Sequence, residues 1–268
     1  MNSEPAGAIL IADRIGKIYT DPTGTDVIAL SEISLAIERH EFVSLVGPSG
    51  CGKATFLRIV AGLDRQTSGT VEAAGKRVSG PGADRGMVFQ EYALLPWKTT
   101  IGNVAFGLQL KGMAKPERLR IAQTFVDFVG LAGFEQKYPH QLSGGMRQRA
   151  AVARALANGP AILLMDEPFA AIDAIMRRRL QEEIGEILAN ARMTVLFVTH
   201  SVDEAVFLSD RVIALSGRPG RIAGDFRIDL PRPRRWAAVA KDERFTALRD
   251  RLLESFGQEP EMAVDSPA

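Results

Sequence analysis

The chain has 268 residues, of which 46% are hydrophobic and 24% are charged. These values are typical of a globular protein and exclude a mainly disordered or fibrous chain. Its 33 Lys and Arg residues nearly balance its 32 Asp and Glu residues, so the chain lacks the basic excess that is usual in dedicated nucleic-acid binders. The single cysteine, Cys51, excludes an intrachain disulfide and argues against a cysteine-based zinc site.

The first ten residues, MNSEPAGAIL, contain no basic segment followed by a long apolar stretch, so we expect no signal peptide. The longest apolar runs, such as 161–165, are much shorter than the ~20 residues that a membrane-spanning helix needs. We therefore expect that the chain does not cross a membrane and that any role at a membrane comes through a partner.

Apolar runs and glycines predict strands in the first part of the chain. Strands are expected within residues 8–46, and the last of them, 41–46, leads into a glycine-rich loop. A helix is predicted from Thr55 to Leu63, with Gly62 near its end. Short strands and turns are expected over 71–89.

Helices and strands alternate in the second half of the chain. Residues 101–158 are predicted to be helical, and 173–190 form a charged amphipathic helix. The continuous apolar runs at 161–165 and 195–198 are typical of buried parallel strands. This alternation predicts an α/β fold with a mostly parallel sheet.

The C-terminal part differs in composition. Residues 231–235 read Pro-Arg-Pro-Arg-Arg, which predicts a linker, with a position close to anionic lipid as the alternative. A short helix follows, and a frayed tail is expected from Gln258. The helix is predicted because apolar side chains recur at helical spacing at Phe245, Leu248, Leu252 and Phe256.

The glycine-rich loop lies between an apolar strand and a predicted helix. The loop consists of Gly47, Pro48, Ser49, Gly50, Cys51, Gly52, Lys53, Ala54 and Thr55. Its glycines let successive backbone N–H groups converge on an anion, and the helix N-terminus adds partial positive charge. Lys53 supplies a point charge for the β- and γ-phosphates of a nucleotide. The alternative is a glycine-rich turn that has no connection with phosphate.

Position 54 departs from the phosphate-loop pattern. That pattern has Ser or Thr after the lysine because the hydroxyl ligates Mg²⁺, whereas this chain has Ala54. Thr55 does not simply replace it, since the next residue on a helix points about 100° away. A hydrogen bond to the α-phosphate is the role left to Thr55. We therefore expect nucleotide binding with an impaired metal site.

Four further motifs follow in order along the chain. They are Phe89-Gln90, LSGGMRQR at 142–149, ILLMDEP at 162–168 and VTH at 198–200. Together with the phosphate loop, these motifs resemble those of the ATP-binding subunits of ABC transporters. Their joint occurrence in this order is specific, and LSGGMRQR is the most specific motif, although the adjacent acids, the histidine and Gln90 mean little when each is taken alone.

The resemblance covers roughly residues 8–225. It implies an α/β fold with a P-loop NTPase core of the ABC type, an antiparallel β subdomain and a helical subdomain inserted at about 91–158. Residues 226–268 would then form a C-terminal linker and a short helix. ATP and Mg²⁺ are the cofactors that the resemblance implies.

The resemblance also implies roles for residues at the ends of predicted strands, where open α/β sheets place ligands. Asp166 would hold Mg²⁺ or its water, and Gln90 would contact the γ-phosphate, the metal and the water together. Glu167 would polarise the attacking water, and His200 would contact the γ-phosphate. Phosphoryl transfer needs such positioning and charge neutralisation more than covalent help.

By the same resemblance, the γ-phosphate of an ATP on the opposite subunit is bound by Ser143, Gly144 and Gly145. One chain holds one phosphate loop and one such signature, so two sites require two chains arranged head to tail. Tyr19 would stack on adenine, with a simple strand-end tyrosine as the alternative. Asp173 would lie in the loop that links the two sites, and Ile172 replaces the leucine that is usual there.

Several stretches resemble one bacterial importer branch, which serves nitrate, sulfonate and taurine. They are 92–97, 103–108, 203–211 and 216–222. These segments do not touch the solute, so they do not identify it. Residues 91–97 carry aromatic side chains that are favoured at interfaces, and we expect them to contact a membrane partner. The alternative is a buried loop of the helical subdomain.

The predicted function is ATP hydrolysis that drives uptake of a small solute. The expected partners are a second copy of the chain or a homologous ATPase subunit, a transmembrane permease subunit and, indirectly, a solute-binding protein. The chain would lie peripherally on the cytoplasmic face of the inner membrane. The alternative is a nucleotide-binding switch with weak or no hydrolysis, because Ala54 lacks the hydroxyl. Relatives that act on nucleic acid carry long coiled insertions, zinc cysteines or two ATPase units, and this sequence shows none of these.

Overall fold

The computed structural model describes residues 7–170 and 172–257, so the tail predicted from Gln258 lies outside the described residues. The strands are β1 (Ala8–Thr20), β2 (Asp26–Glu38), β3 (Phe42–Val46), β4 (Ser68–Ala73), β5 (Lys76–Arg77), β6 (Arg85–Val88), β7 (Ile162–Asp166), β8 (Thr194–Val198), β9 (Arg211–Leu215) and β10 (Ile222–Arg227). They form a four-stranded antiparallel sheet in the order β2-β1-β4-β5 and a six-stranded sheet in the order β10-β9-β3-β8-β7-β6. The larger sheet is parallel except for its edge strand β10.

The helices begin and end at residues suited to those positions. They are α1 (Lys53–Ala61), α2 (Thr100–Val104), α3 (Phe106–Leu110), α4 (Lys115–Phe128), α5 (Gly144–Ala157), α6 (Ala174–Asn190), α7 (Val202–Leu208), α8 (Trp236–Val239) and α9 (Glu243–Gly257). Side-chain oxygens of Ser143, Asp173 and Ser201 cap α5, α6 and α7 by accepting backbone N–H groups. Gly62 ends α1 in the left-handed conformation, at φ 75°, and a Cβ there would collide with the Gly80 carbonyl.

The strands of the larger sheet are buried along nearly their whole length. Every position of β3 and β8 is buried, as are all but one of the positions of β7 and β9. Such strands are typical of a parallel sheet that is covered on both faces. One face packs against α1 and the smaller sheet, and the other packs against α5, α6 and α7. The predicted α/β fold is therefore confirmed.

The helices that follow β6 have a hydrophobic cluster of their own. It joins α2, α4 and α5 through residues that include Val104, Ala122, Val126, Ala150 and Ala153. Within the described residues, no helix is long and apolar enough to span a membrane.

The structure corrects the prediction of a linker at 231–235. Arg232 lies 2.8 Å from Asp210, and Arg235 lies 2.9 Å from Glu186. Arg234 is buried and donates hydrogen bonds to backbone carbonyls at the end of α7. Residues 230–239 therefore form an ordered segment across α6 and α7, which we call the C-terminal strap. The predicted helix after it is confirmed as α9.

Candidate functional site

A cavity of about 590 Å³ opens at the carboxyl edge of the parallel sheet. Three neighbouring strands end there. The phosphate loop follows β3, His200 follows β8, and Glu167 follows β7. The cavity is lined by Tyr19, Val27, Ala29, Ser49, Gly50, Gly52, Lys53, Ala54, Thr55, Glu167, Val198, His200 and Arg218.

The phosphate loop curls around its own lysine. The Nζ of Lys53 donates hydrogen bonds to the carbonyl oxygens of Gly47 at 2.8 Å and Pro48 at 2.9 Å. Gly52 adopts φ 97° directly before α1, where a side chain would be strained and would collide with Leu30. The loop thus has the strand–loop–helix context in which backbone N–H groups and a lysine bind phosphate.

The residues of the phosphate loop do not all face the cavity. Ala54 and Thr55 both line it, so the methyl group of Ala54 stands where the pattern has a hydroxyl. Cys51 does not line the cavity, because its side chain is 1% exposed and packs in the cluster between the two sheets. Gly47 needs its small size, since a Cβ there would lie 2.8 Å from the Cys51 sulfur.

Glu167 and His200 form a close pair at the cavity wall. The Nδ1 of His200 lies 2.9 Å from Oε2 of Glu167. The Glu167 backbone N–H donates to the Val198 carbonyl at 3.0 Å, which ties the end of β7 to the end of β8. Glu167 also has φ 41°, a left-handed conformation that is rare for a residue with a side chain. Such backbone strain is concentrated at functional sites.

Asp166 precedes Glu167 as the last residue of β7. Burial raises the pKa of the Asp166 carboxyl, and the adjacent Glu167 charge raises it further, whereas Arg58 and Lys53 oppose the rise. Two adjacent, partly buried carboxylates favour a divalent cation with oxygen ligands. The donor set therefore suits Mg²⁺, although Ala54 contributes no ligand. Among the described residues, no group of three or more His, Cys, Asp or Glu side chains forms a metal site by itself.

Tyr19 lines the same cavity as Glu167 and His200. Its hydroxyl donates to Asp64 at 2.6 Å, and the Lys17 ammonium lies 4.6 Å from its ring centre. Burial raises the pKa of the Asp64 carboxyl, but hydrogen bonds from Lys17 and Tyr19 outweigh that effect and leave it below its ordinary value. The ring is therefore held from two sides beside the cavity.

Several predicted site residues do not line this cavity: besides Cys51, they are Gly47, Pro48, Gln90, Ser143, Gly144, Gly145, Asp166 and Asp173. Gln90 follows the edge strand β6 and is exposed. The signature begins α5, where the Ser143 hydroxyl accepts the Met146 N–H at 3.3 Å. Asp173 caps α6 and accepts the Met176 N–H at 3.0 Å. The roles proposed for Ser143, Gly144, Gly145 and Asp173 thus need a second chain.

Arg218 is a cavity residue that the motifs do not predict as part of the site. It lies in the turn after β9, and a Cβ on Gly50 would be 3.6 Å from its guanidinium. Within the described residues, its guanidinium makes no ion pair. The only local signal is a cation in the sequence Gly-Arg-Pro-Gly, and its approach to the loop depends on the pairing of β9 with β3.

Known proteins resemble this chain over most of its length. An uncharacterized ABC transporter ATP-binding protein of Methanocaldococcus jannaschii is 53% identical over 92% of this chain and 93% of its own length. The nitrate import ATP-binding protein NrtD of Synechocystis is 50% identical over 81% of each chain. The bicarbonate transport ATP-binding protein CmpC of Synechocystis is 44% identical over 92% of this chain, which spans 38% of that longer protein.

Two solved structures share the fold. One is a dimeric ATP-binding cassette in a post-hydrolysis state bound to ADP and Pi, with a TM-score of 0.70. The other is a dimeric bacterial ABC transporter cassette, with a TM-score of 0.71. Each is 31% identical and covers 83% of this chain and 100% of its own. The family model described as "ABC transporter" matches residues 30–170. The chain therefore belongs to the ABC transporter family, in which it is an ATP-binding subunit and an ATPase.

Proposed function

We propose that this chain hydrolyses ATP in a head-to-tail dimer and thereby drives uptake of a small solute through a transmembrane permease. The observation that carries the proposal is the Glu167–His200 pair on the wall of a cavity that the phosphate loop also lines. The ATP-binding domain is assigned to residues 8–225, with the helical insert at about 91–158. The C-terminal strap and α9 belong to the remaining segment, 226–268.

The residues around the cavity divide the chemistry between them. Lys53 and the backbone N–H groups of the loop bind the β- and γ-phosphates. Glu167 accepts a proton from the attacking water, and His200 donates a hydrogen bond to the γ-phosphate. Such pre-aligned groups lower the barrier to phosphoryl transfer by positioning and by stabilising charge. When bound, Mg²⁺ would be held by Asp166 and Gln90 with water, and would neutralise charge on the phosphate oxygens.

The dimer is proposed because the cavity of one chain lacks the signature residues. Ser143 and Asp173 cap helices outside the cavity, so only another chain brings a Ser-Gly-Gly turn to the bound γ-phosphate. The similar cassettes of known structure are dimers. The partner is a second copy or a homologous ATPase subunit.

Contact with a permease is proposed for residues 91–97. Trp97 is 71% exposed, whereas Tyr92 and Leu94 are half-buried against the core. The fully buried Asn103 fixes the loop, because its side chain bonds the Leu95 N–H at 2.7 Å and the Leu95 carbonyl at 3.1 Å. Only part of the segment therefore faces outward, and Trp97 is the proposed contact.

The proposed solute is a small anion. The similar proteins named for a substrate are named for nitrate import and bicarbonate transport. Nitrate and sulfonates from the predicted branch match that chemistry, and taurine, a zwitterion, shares only the sulfonate group. A solute-binding protein would deliver the anion to the permease, and this chain would lie peripherally on the cytoplasmic face of the inner membrane.

A nucleotide-binding switch with slow hydrolysis is the second candidate, and Ala54 is the observation that favours it. Water can fill the ligand position that Ala54 leaves, since Mg²⁺ commonly keeps several waters. Even changes outside the ligand shell commonly cost about 10- to 100-fold in metal affinity or activity. We therefore expect ATP to bind and turnover to be reduced.

The test is Mg²⁺-dependent ATPase activity of the purified chain beside Ala54→Ser, Ala54→Cys and Glu167→Gln. Cysteine matches serine in size but is a poor Mg²⁺ ligand, so it controls for volume. Turnover in the natural chain that is lost in Glu167→Gln supports the transport motor. If Ala54→Ser hydrolyses ATP and the natural chain does not, the nucleotide-binding switch is supported. If Ala54→Ser leaves turnover and Mg²⁺ dependence unchanged, the switch is excluded, and if Glu167→Gln leaves turnover unchanged, the assigned catalytic role is wrong.

A further inference from the structure

A buried line of hydrogen bonds connects the C-terminal strap with the segment that carries His200. We propose that Trp236, Gln181, Glu204 and Thr199 are positioning residues that set the place of His200 for ATP hydrolysis. This inference rests on the proposed catalytic role of His200. The four hydrogen-bonded residues come from four separate elements: the strap, α6, α7 and the turn after β8.

The line ends on the two residues that flank His200. The Thr199 hydroxyl accepts the Ser201 backbone N–H at 3.0 Å, so one side chain closes the turn across His200. Thr199 is 1% exposed, whereas the His200 side chain is largely exposed at the cavity. The buried Thr199 side chain therefore fixes the backbone of this turn, and the next residue, His200, extends its side chain into the site.

Glu204 binds the Thr199 hydroxyl through its carboxylate. Its Oε2 accepts the Thr199 hydroxyl at 2.7 Å, and its Oε1 accepts the Gln181 amide N–H at 2.9 Å. Burial raises the pKa of the Glu204 carboxyl, and the hydrogen bond from Thr199 opposes that rise. Both oxygens face donors, so loss of either donor leaves a buried carboxylate oxygen without its partner.

Gln181 links Glu204 to the strap. Its Oε1 accepts the indole N–H of Trp236 at 2.9 Å. An indole N–H only donates and an ionised carboxylate only accepts, so the amide of Gln181 has one orientation that satisfies both neighbours. Gln181 is 1% exposed, and water therefore does not replace either bond at low cost.

Trp236 is anchored independently of that bond. Its ring stacks on Phe207 of α7 with centres 4.1 Å apart and meets the edge of Phe245 at 6.0 Å. Its backbone N–H donates to Glu182 at 2.7 Å. The indole N–H is therefore presented to Gln181 by a fixed ring. Replacing Trp236 with phenylalanine keeps an aromatic ring and removes the donor.

The test compares ATPase rate constants and ATP affinity for Thr199→Val, Thr199→Ser and Trp236→Phe in the full chain. We expect Thr199→Val to lower kcat about tenfold, with smaller losses for Trp236→Phe and recovery in Thr199→Ser. ATP affinity, measured by equilibrium titration, should change less than twofold because the phosphate loop lies on other elements. Each variant is also made with Ala54→Ser, so that slow natural turnover does not hide an effect.

Thr194→Val is the matched control at the opposite end of β8. Thr194 is also buried, and its hydroxyl accepts the His40 backbone N–H at 2.8 Å. We expect it to lose stability with kcat unchanged. An equal fall in kcat for Thr194→Val and Thr199→Val would mean that both act through general destabilisation, which overturns the proposal.

A double-mutant cycle with His200→Ala identifies the route. If Thr199 acts through His200, Thr199→Val has no further effect on kcat once His200→Ala is present. Full additivity of the two losses overturns the positioning role. An unchanged kcat in His200→Ala itself overturns the proposed catalytic role and this inference together. A low kcat in His200→Ala beside a normal one in Thr199→Val overturns the inference alone.

Discussion

His200 and Glu167 meet across the ends of two neighbouring strands, with Nδ1 and Oε2 2.9 Å apart. The Glu167 side chain is mostly buried and the His200 side chain mostly exposed, so His200 is the member of the pair that faces solvent. A carboxylate and an imidazole at one point match the proposed roles of the two groups toward a bound phosphate and its attacking water. The pairing of β7 with β8 therefore brings the two residues together before any contribution from a second chain.

Tyr19 is predicted to bind the base of the nucleotide with its ring and not with its hydroxyl. Stacking of a base on an aromatic side chain is worth about 1–3 kcal/mol. Tyr19→Ala should therefore weaken ATP binding about 5- to 150-fold. Tyr19→Phe keeps the ring and loses only the bond to Asp64, so it should change affinity by less than about threefold. Equilibrium titration with ATP and GTP checks this, and equal losses in both variants would contradict stacking.

Arg218 is predicted to strengthen binding of the phosphate groups. Its charge lies beside Gly50 in the cavity. At low salt, Arg218→Ala should therefore weaken the binding of ATP about 3- to 10-fold more than the binding of adenosine. This difference should shrink at higher salt, because salt screens the charge. Arg221→Ala is the control, because Arg221 carries the same charge three positions later and does not line the cavity. Equal effects of the two changes would show that net charge, not placement, is responsible.

Asp166 is predicted to lower the stability of the chain at neutral pH in exchange for a metal ligand. Its pKa is raised above the ordinary 3.8, burial being the largest cause, so the folded state disfavours the ionised form. The resulting loss of folding stability is absent when pH lies below the pKa of Asp166 in the unfolded chain. It is complete once pH exceeds the pKa of Asp166 in the folded chain. Asp166→Asn should therefore raise the thermal midpoint without nucleotide at pH 7, and by less at pH 4.5.

Asp21→Asn is the control for that prediction, and it should change the thermal midpoint in the opposite direction. Hydrogen bonds from Thr23 and Thr25 lower the pKa of the Asp21 carboxyl, so its ionised form stabilises the fold above the unfolded pKa. Asp21→Asn should lower the thermal midpoint at pH 7, with the loss fading as pH falls. Added Mg²⁺ and ATP should stabilise the natural chain more than Asp166→Asn. A lower midpoint for Asp166→Asn at pH 7 would contradict the assigned burial cost.

The closeness of Glu167 and His200 was predictable because each comes two residues after a continuous apolar run. Such runs form parallel strands, and the carboxyl ends of parallel strands lie at one edge of the sheet. The phosphate loop was predictable for the same reason, since its glycines follow the apolar strand β3. Local pattern therefore places these residues at one edge without knowledge of the strand order.

Arg218 and Arg234 were not predictable, because their neighbours depend on tertiary contacts. Arg218 reaches the phosphate loop only because β9 pairs with β3, where Val46 lies opposite Ala214. Arg234 lies in a run of prolines and arginines whose composition predicts a linker. Its carbonyl partners at Val206 and Ser209 are distant in sequence, and no local pattern indicates them.

Arg234 is predicted to be the main source of stability in the C-terminal strap. Its guanidinium donates to the carbonyls of Leu230 at 3.0 Å, Phe207 at 2.8 Å and Ser209 at 2.8 Å. Burial, and then the charge of Arg232, lower its pKa to about 10, which leaves it charged at neutral pH beside the negative end of α7. Its planar fork reaches several carbonyls at once, whereas a lysine ammonium is a single point charge.

Both Arg234→Met and Arg234→Lys should therefore lower the free energy of unfolding, by about 2–4 kcal/mol for methionine and somewhat less for lysine. Arg235→Met is the control, because Arg235 is half-exposed and its ion pair with Glu186 is worth no more than about 1 kcal/mol. Urea unfolding measures all three, with the slope checked for two-state behaviour. If Arg234→Met and Arg235→Met lose equal stability, the buried carbonyl contacts do not hold the strap. A loss of stability confined to the Arg234 variants means that the buried carbonyl contacts hold the strap in place. Because the strap also carries Trp236, the Arg234 variants should then lower kcat as well as stability.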